Sequence, residues 1–151
     1  MLDPPGPESA GRYHRPGEAV LYMSPTLDWA RIAVATYMRK DGIARVAVPL
    51  ELDGAWVVDQ RDRSACSALG IDPALSALPW QDALQRGEEP PSWINATKAR
   101  AAGADGLIDP SRSIPGGWHL DLFRWNTPGD PQVTRAGKHV AVTLRADDPQ
   151  V

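Results

Sequence analysis

EAVLYMSPTLDWARIAVATYMRKDG, residues 18–42, reads as a strand, a turn and a helix with its own stop signal. Glu18–Met23 is a short apolar run of the kind that pairs in a sheet. Ser24-Pro25-Thr26 interrupts it, and Ser24 or Thr26 offers a hydroxyl to cap the helix that follows. The helix runs about three turns to near Lys40 and ends at Asp41-Gly42. After Asp28 and Arg31 it carries no charge for two turns, so an uncharged face stands behind a strand that ends in a phenol, Tyr22. Ten residues before that phenol lies a cation, Arg12, beside the aromatic Tyr13.

Outward from this unit the chain alternates in blocks. Residues 1–11 are rich in Pro, Gly and polar side chains and read as a loose surface segment. Ala44–Leu50 and Ala55–Asp59 read as two strands joined by the Asp53-Gly54 turn. Short helices are expected over 62–69 and 80–86, and a longer one over Ser92–Ala102 that stops at Gly103. Gly106-Leu107-Ile108 is a short buried strand leading into Asp109-Pro110-Ser111. Trp118–Trp125 alternates with period two over much of its length, and Lys138–Leu144 is the last expected strand. Strands, then helices, then strands predict a single mixed α/β or α+β domain.

Composition narrows the function classes. The chain has 151 residues, 42% apolar and 23% charged, as a folded domain with one core requires. A net charge of −3 leaves no surplus of Lys or Arg to displace counterions along a phosphate backbone, which argues against direct nucleic-acid binding and leaves local basic pockets open. The single cysteine, Cys66, excludes an internal disulfide, fits a reducing compartment and reads as a small apolar filler. No run approaches the roughly 20 apolar residues of a membrane span. The start, MLDPPGPESAG, lacks the basic flank and apolar stretch of a signal peptide, so the expected location is the cytoplasm, with no membrane partner. Six tryptophans against one phenylalanine point to core and to partner surfaces.

Common site types fall away in turn. Gly116-Gly117 precedes a strand, not a helix, and is no dinucleotide or Walker loop. His14, His119 and His139 have no Cys or carboxylate at ligand spacing, so no metal is expected. Ser111, His119 and Asp121 do not form a relay, because residues two apart on one strand share a face and Ser111 lacks a Gly-x-Ser-x-Gly elbow. Polar residues at strand ends remain: Arg12, Tyr22, Ser111 and Arg112. Each also has a plainer reading, respectively a surface ion pair, a ring at the core rim, a turn residue and a solvated cation.

Three blocks of the chain resemble a known family. GRYHRPGEAVLYMS (residues 11–24) is similar to the G-R-W-N-x-x-G-x-x-x-x-Y block of the RES domain, the toxin half of RES–Xre toxin–antitoxin pairs, named for an Arg, a Glu and a Ser. AVPLELDGAWVVD (47–59) resembles its following strand pair, and GADGLIDPSRSIPGGWHLDLF (103–123) its last block. By position the Arg falls on Arg12, the Tyr on Tyr22 and the Ser on Ser111, within a catalytic domain spanning 12–151. The Glu belongs 11 residues after the Tyr, where this chain has Ala33. Either the chain naturally lacks the acid or a glutamate has been replaced by alanine so that a poisonous protein could be produced; replacement is the reading favoured. A second departure lies ahead of Arg12, where about ten Pro-rich residues stand in place of the family's strand and further Arg, leaving fewer phosphate contacts.

The resemblance implies an ADP-ribosyltransferase-like fold and destruction of NAD+, by hydrolysis or by phosphorolysis of the nicotinamide–ribose bond, with NAD+ as substrate and no cofactor. Arg12 and Arg112 would face phosphate, Tyr22 would stack on a flat ring, and Ser111 would orient a ribose or the Arg. It also implies an Xre-type antitoxin partner carrying any DNA contact, and an oligomer with itself or with that antitoxin, docked on tryptophans such as Trp29, Trp93, Trp118 and Trp125. Two alternatives stay open: transfer of ADP-ribose to a macromolecule, and a non-catalytic nucleotide- or partner-binding module.

Overall fold

The computed structural model describes residues 3–150; Met1 and Leu2 of the expected loose segment, and Val151, lie outside the described residues. In chain order the elements are β1 (Leu21–Met23), α1 (Leu27–Asp41), β2 (Val46–Ala47), β3 (Leu50–Asp53) and β4 (Val57–Asp59). Then come α2 (Arg63–Leu69), α3 (Pro73–Ala77), α4 (Trp80–Gln85), α5 (Ser92–Ala101), β5 (Gly106–Pro110), β6 (Trp118–Leu122), β7 (Gln132–Arg135) and β8 (Val140–Ala141). The fold is a mixed α+β single domain, as the order of signals predicts.

The helix ends follow local chemistry. Thr26 accepts the Trp29 N–H at 3.1 Å and fixes where α1 begins. Gly42, at φ 67°, turns its N–H back to the Met38 carbonyl and ends it. Ser24 does not cap; its hydroxyl meets His119 Nδ1 at 2.9 Å. Asp62 and Asp72 cap α2 and α3 through the N–H groups of Ser64, Ala65 and Ala74.

The central sheet has the order β1-β6-β5-β4, with β4 parallel to β5 and the other pairs antiparallel. Its register aligns Tyr22 with Asp121, Asp121 with Leu107, and His119 with Asp109. Since side chains alternate along a strand, these residues share one face. That face is covered by the helices and by the turn around Tyr13, in a core of Tyr13, Val58, Cys66, Ala96, Ala99 and Leu107. On the opposite face Leu122 packs with Trp125, Val133, Leu50 and Leu52, so the β3–β7 ribbon forms the other layer.

Sequence expectation and fold part company at several elements. Asp53-Gly54 does not close a hairpin: β3 pairs with β7, and β4 leaves for the central sheet, latched by Asp105 N–H to the Trp56 carbonyl at 2.7 Å and Trp56 N–H to Asp105 Oδ2 at 2.8 Å. A local turn signal loses here to partners some eighty residues away. The last expected strand shrinks to β8, paired with β2, while β7 and α3 were not expected at all. Trp93 and Trp125 are buried and offer no docking surface, whereas Trp56 is 51% exposed. Trp29 meets Trp118 edge-on, 6.3 Å between ring centres.

The far end of the chain braces α1. Arg31 pairs with the buried Asp148, and Arg39 donates to the carbonyls of Arg145 at 2.8 Å and Pro149 at 3.1 Å.

Leu107, fully buried at the centre of the sheet, anchors the helix-covered core. Leu107→Ala is expected to lower the unfolding free energy by about 2–5 kcal/mol in urea titrations. Exposed Ser67→Ala should stay within about 0.5 kcal/mol of the parent.

Candidate active site

The segment 11–14 is a tight turn fastened to α5. Gly11 bridges His14, its carbonyl accepts the Trp93 indole N–H at 2.8 Å, and the Arg12 carbonyl accepts the Ser92 hydroxyl at 2.5 Å. A Cβ on Gly11 would lie 2.4 Å from the His14 ring and 2.7 Å from the Tyr22 hydroxyl, so this close approach requires glycine. Tyr22 oxygen accepts the Tyr13 N–H at 3.1 Å and shares a hydrogen bond with His14 Nδ1 at 2.9 Å. Burial and the nearby Arg100 lower the His14 pKa, which favours a neutral ring whose Nδ1 can accept a hydrogen bond from the Tyr22 hydroxyl. The two ends of Tyr22 differ. Its hydroxyl is enclosed, which raises its pKa, while the residue as a whole is 45% exposed and turns its ring to solvent.

Below the turn lies a buried charge cluster. Arg12 Nη1 contacts Asp109 Oδ2 at 2.6 Å, and the Tyr13 hydroxyl donates to Asp109 Oδ1 at 2.5 Å. Gln60 Nε2 donates to Tyr13 at 3.3 Å, and Gln60 Oε1 accepts from Ser76 at 2.7 Å. Two donors of Arg12, Nε and Nη2, are buried without a partner among the described residues, as is Asp121 Oδ2. Burial raises the pKa of Asp109 against the pull of Arg12 and Tyr13. It raises that of Asp121 much further, helped by Asp109. One negative charge, on Asp109, thus balances Arg12 while Asp121 is held neutral.

Of the remaining expected residues, Arg112 interacts with this cluster. Ser111 sits on the loop after β5, and its Oγ accepts the N–H groups of Ser113 at 3.3 Å and Ile114 at 3.2 Å. Arg112 interacts electrostatically with Arg12, Asp109, Tyr13 and Tyr37, and burial lowers its pKa. Tyr37 stands one helical turn beyond Ala33, which is half-buried on α1. Among the described residues no group of His, Cys, Asp and Glu could hold a metal ion. Among the described residues no helix is long and apolar enough to cross a membrane. Two surface hollows, about 180 Å³ beside Leu78 and Arg86 and about 480 Å³ beside Cys66 and Ile71, lie away from the cluster. The unpaired buried donors, not hollow size, mark the site.

Residues 2–145 match the RES domain. The chain belongs to the RES family. Its fold is similar to a chain of the crystal structure of the M. tuberculosis MbcT–MbcA toxin–antitoxin complex, with a TM-score of 0.59 and 16% identity, covering 91% of this chain and 74% of that one. Among curated proteins none matches the sequence. Within this RES domain the glycines of the matching blocks have physical reasons: Gly11 as above, and Gly106, where a Cβ would stand 2.4 Å from the Asp121 carbonyl oxygen. Sequence reading missed Tyr13, His14, Gln60, Asp109 and Asp121. The available signals were adjacency of Tyr13 and His14 to Arg12, and the position of Asp109 two residues before Ser111.

The neutral state of Asp121 has a stability consequence. Its folded pKa lies above the unfolded one, so stability from this group is full below the ordinary carboxylate range and is lost as pH rises through that range towards the raised value. Asp121→Asn should therefore be more stable than the parent at neutral pH. The gain should shrink on acidification, by up to about 1.4 kcal/mol per pH unit, in denaturant titrations at two pH values.

Proposed function

We propose that this RES domain is the toxin of a toxin–antitoxin pair and cleaves the nicotinamide–ribose bond of NAD+, with phosphate or water as acceptor. The observation that carries the reading is a guanidinium on the 11–14 turn with two N–H donors unsatisfied among the described residues, beside a tyrosine of β1 whose hydroxyl is tethered to that turn while its ring stands open. Nε–H and an Nη–H form the fork with which arginine grips two phosphate oxygens, and the charge is permanent. A fixed aromatic face suits a nicotinamide or adenine ring. The Ser111 oxygen accepts two loop N–H groups, which leaves its proton for a ribose or phosphate oxygen. Arg112 adds positive charge at the same place.

Departure of neutral nicotinamide leaves positive charge on the ribose ring, comparable to glycoside cleavage. A water or phosphate oxygen then bonds to the anomeric carbon and gives up its proton to solvent. A carboxylate would stabilise that charge, and at position 33 this chain presents a methyl group. Low turnover with binding retained follows. The partner in this reading is an Xre-type antitoxin, which carries any DNA contact, and both work in the cytoplasm. The fold likeness to a toxin–antitoxin complex supports the pairing.

The test compares nicotinamide release from NAD+ by the parent and by Ala33→Glu, with and without phosphate. The acid should raise the rate on the order of a hundredfold, since removing one such electrostatic group costs roughly 3–4 kcal/mol. Equal rates reject the role of position 33. Release accompanied by labelled protein or nucleic acid would instead identify a transferase.

A further inference from the structure

Arg12 has two sides in this structure. One side, Nη1, is bound to Asp109 at 2.6 Å; the other, Nε and Nη2, has no hydrogen-bond partner among the described residues and is closed off from solvent. A phosphate cannot reach the free edge where it lies. It reaches Arg12 when the guanidinium turns outward, and that turn breaks the contact with Asp109. Asp109 is then left with the Tyr13 hydroxyl at 2.5 Å, itself buried.

We infer that Asp109 is an internal competitor for the ligand's anion: it occupies Arg12 in the free protein, and a pyrophosphate-bearing ligand binds by displacing it, with a proton taken up where Arg12 was. This rests on the reading of Arg12 as the phosphate-binding residue, and it makes Asp109 a residue that sets affinity and selectivity. Few ligands other than strong anions repay the loss of a buried ion pair.

The groups around Asp109 decide where the compensating charge comes from. From the turn come Arg12 and Tyr13; from β6, His119 across the ladder and Asp121; from the loop after β5, Arg112; from the end of β4, the uncharged Gln60. Once Arg12 has moved, burial opposes a charge on Asp109. Burial lowers the His119 pKa against the pull of Asp109, and its Nδ1 is engaged by Ser24. Arg112 is exposed on the loop and already charged, so it takes up no proton. Proton uptake by Asp109 is the balance that remains.

Calorimetric titration of the full chain with ADP-ribose, whose pyrophosphate stays fully ionised between about pH 5.5 and 8, tests this. Affinity should weaken by roughly threefold to tenfold per pH unit as pH rises, tenfold being the limit for one proton. Asp109→Asn, which retains a group able to bond Tyr13, should bind roughly tenfold tighter at the upper pH and lose the slope. A flat profile in the parent, an unchanged slope in Asp109→Asn, or no gain in affinity overturns the inference. Should Asp109→Asn not fold, the parent titrated in buffers of different ionisation heat reports the protons bound, and zero overturns it. Arg12→Ala separates the two levels. Undiminished binding there rejects the role of Arg12 and the inference together, as does absence of binding in both parent and Asp109→Asn; binding that needs Arg12 but ignores pH rejects the inference alone.

Discussion

The site is held together by one carboxylate. Asp109, near the end of a central strand, receives Arg12 on one oxygen and Tyr13 on the other, and so ties a turn near the beginning of the chain to a strand almost a hundred residues on. Without it the turn would keep its anchors to α5 and to the Tyr22 hydroxyl, and Tyr13 would bury a hydroxyl with no strong acceptor. Such a pair adds little stability over an apolar one. Removing one partner, however, strands a buried charge at a cost of about 3–5 kcal/mol. Its value is positional: it sets which way the guanidinium points, and thereby where Tyr22 and the adjoining loop can meet a ligand.

The parts of this fold that were legible in the sequence are those fixed by neighbours. Thr26, Gly42 and Gly103 mark helix ends because capping and left-handed backbone are local requirements, and Leu107 reads as core because its run is short and apolar. The pairing of β3 and β4 was misread for the same reason. Asp53-Gly54 is a good local hairpin signal, but Leu50 and Leu52 find their apolar partner in Val133, and Val58 finds its own beneath the helices. No local rule weighs those two cores against each other.

The candidate site divides along similar lines. Arg12, Tyr22 and Ser111 stand out as polar residues at strand ends and through resemblance to a motif. Asp109 and Asp121 do not. The first lies in an Asp-Pro-Ser stretch that reads as a turn, and the second alternates with leucines as a solvent-facing residue would. Only the register that sets Asp121 between Tyr22 and Leu107 buries it. The placing of charge at this site is therefore a property of strand alignment.

The anchoring of residues 145–150 by Arg31 and Arg39 has a practical side. The helix that carries position 33 is buttressed from behind by a peptide far along the chain, as a shelf is by its bracket. Any cut ahead of Asp148 takes away that bracket and leaves Arg31 facing an empty berth. The scaffold around position 33 would then loosen although nothing near the ligand had been altered.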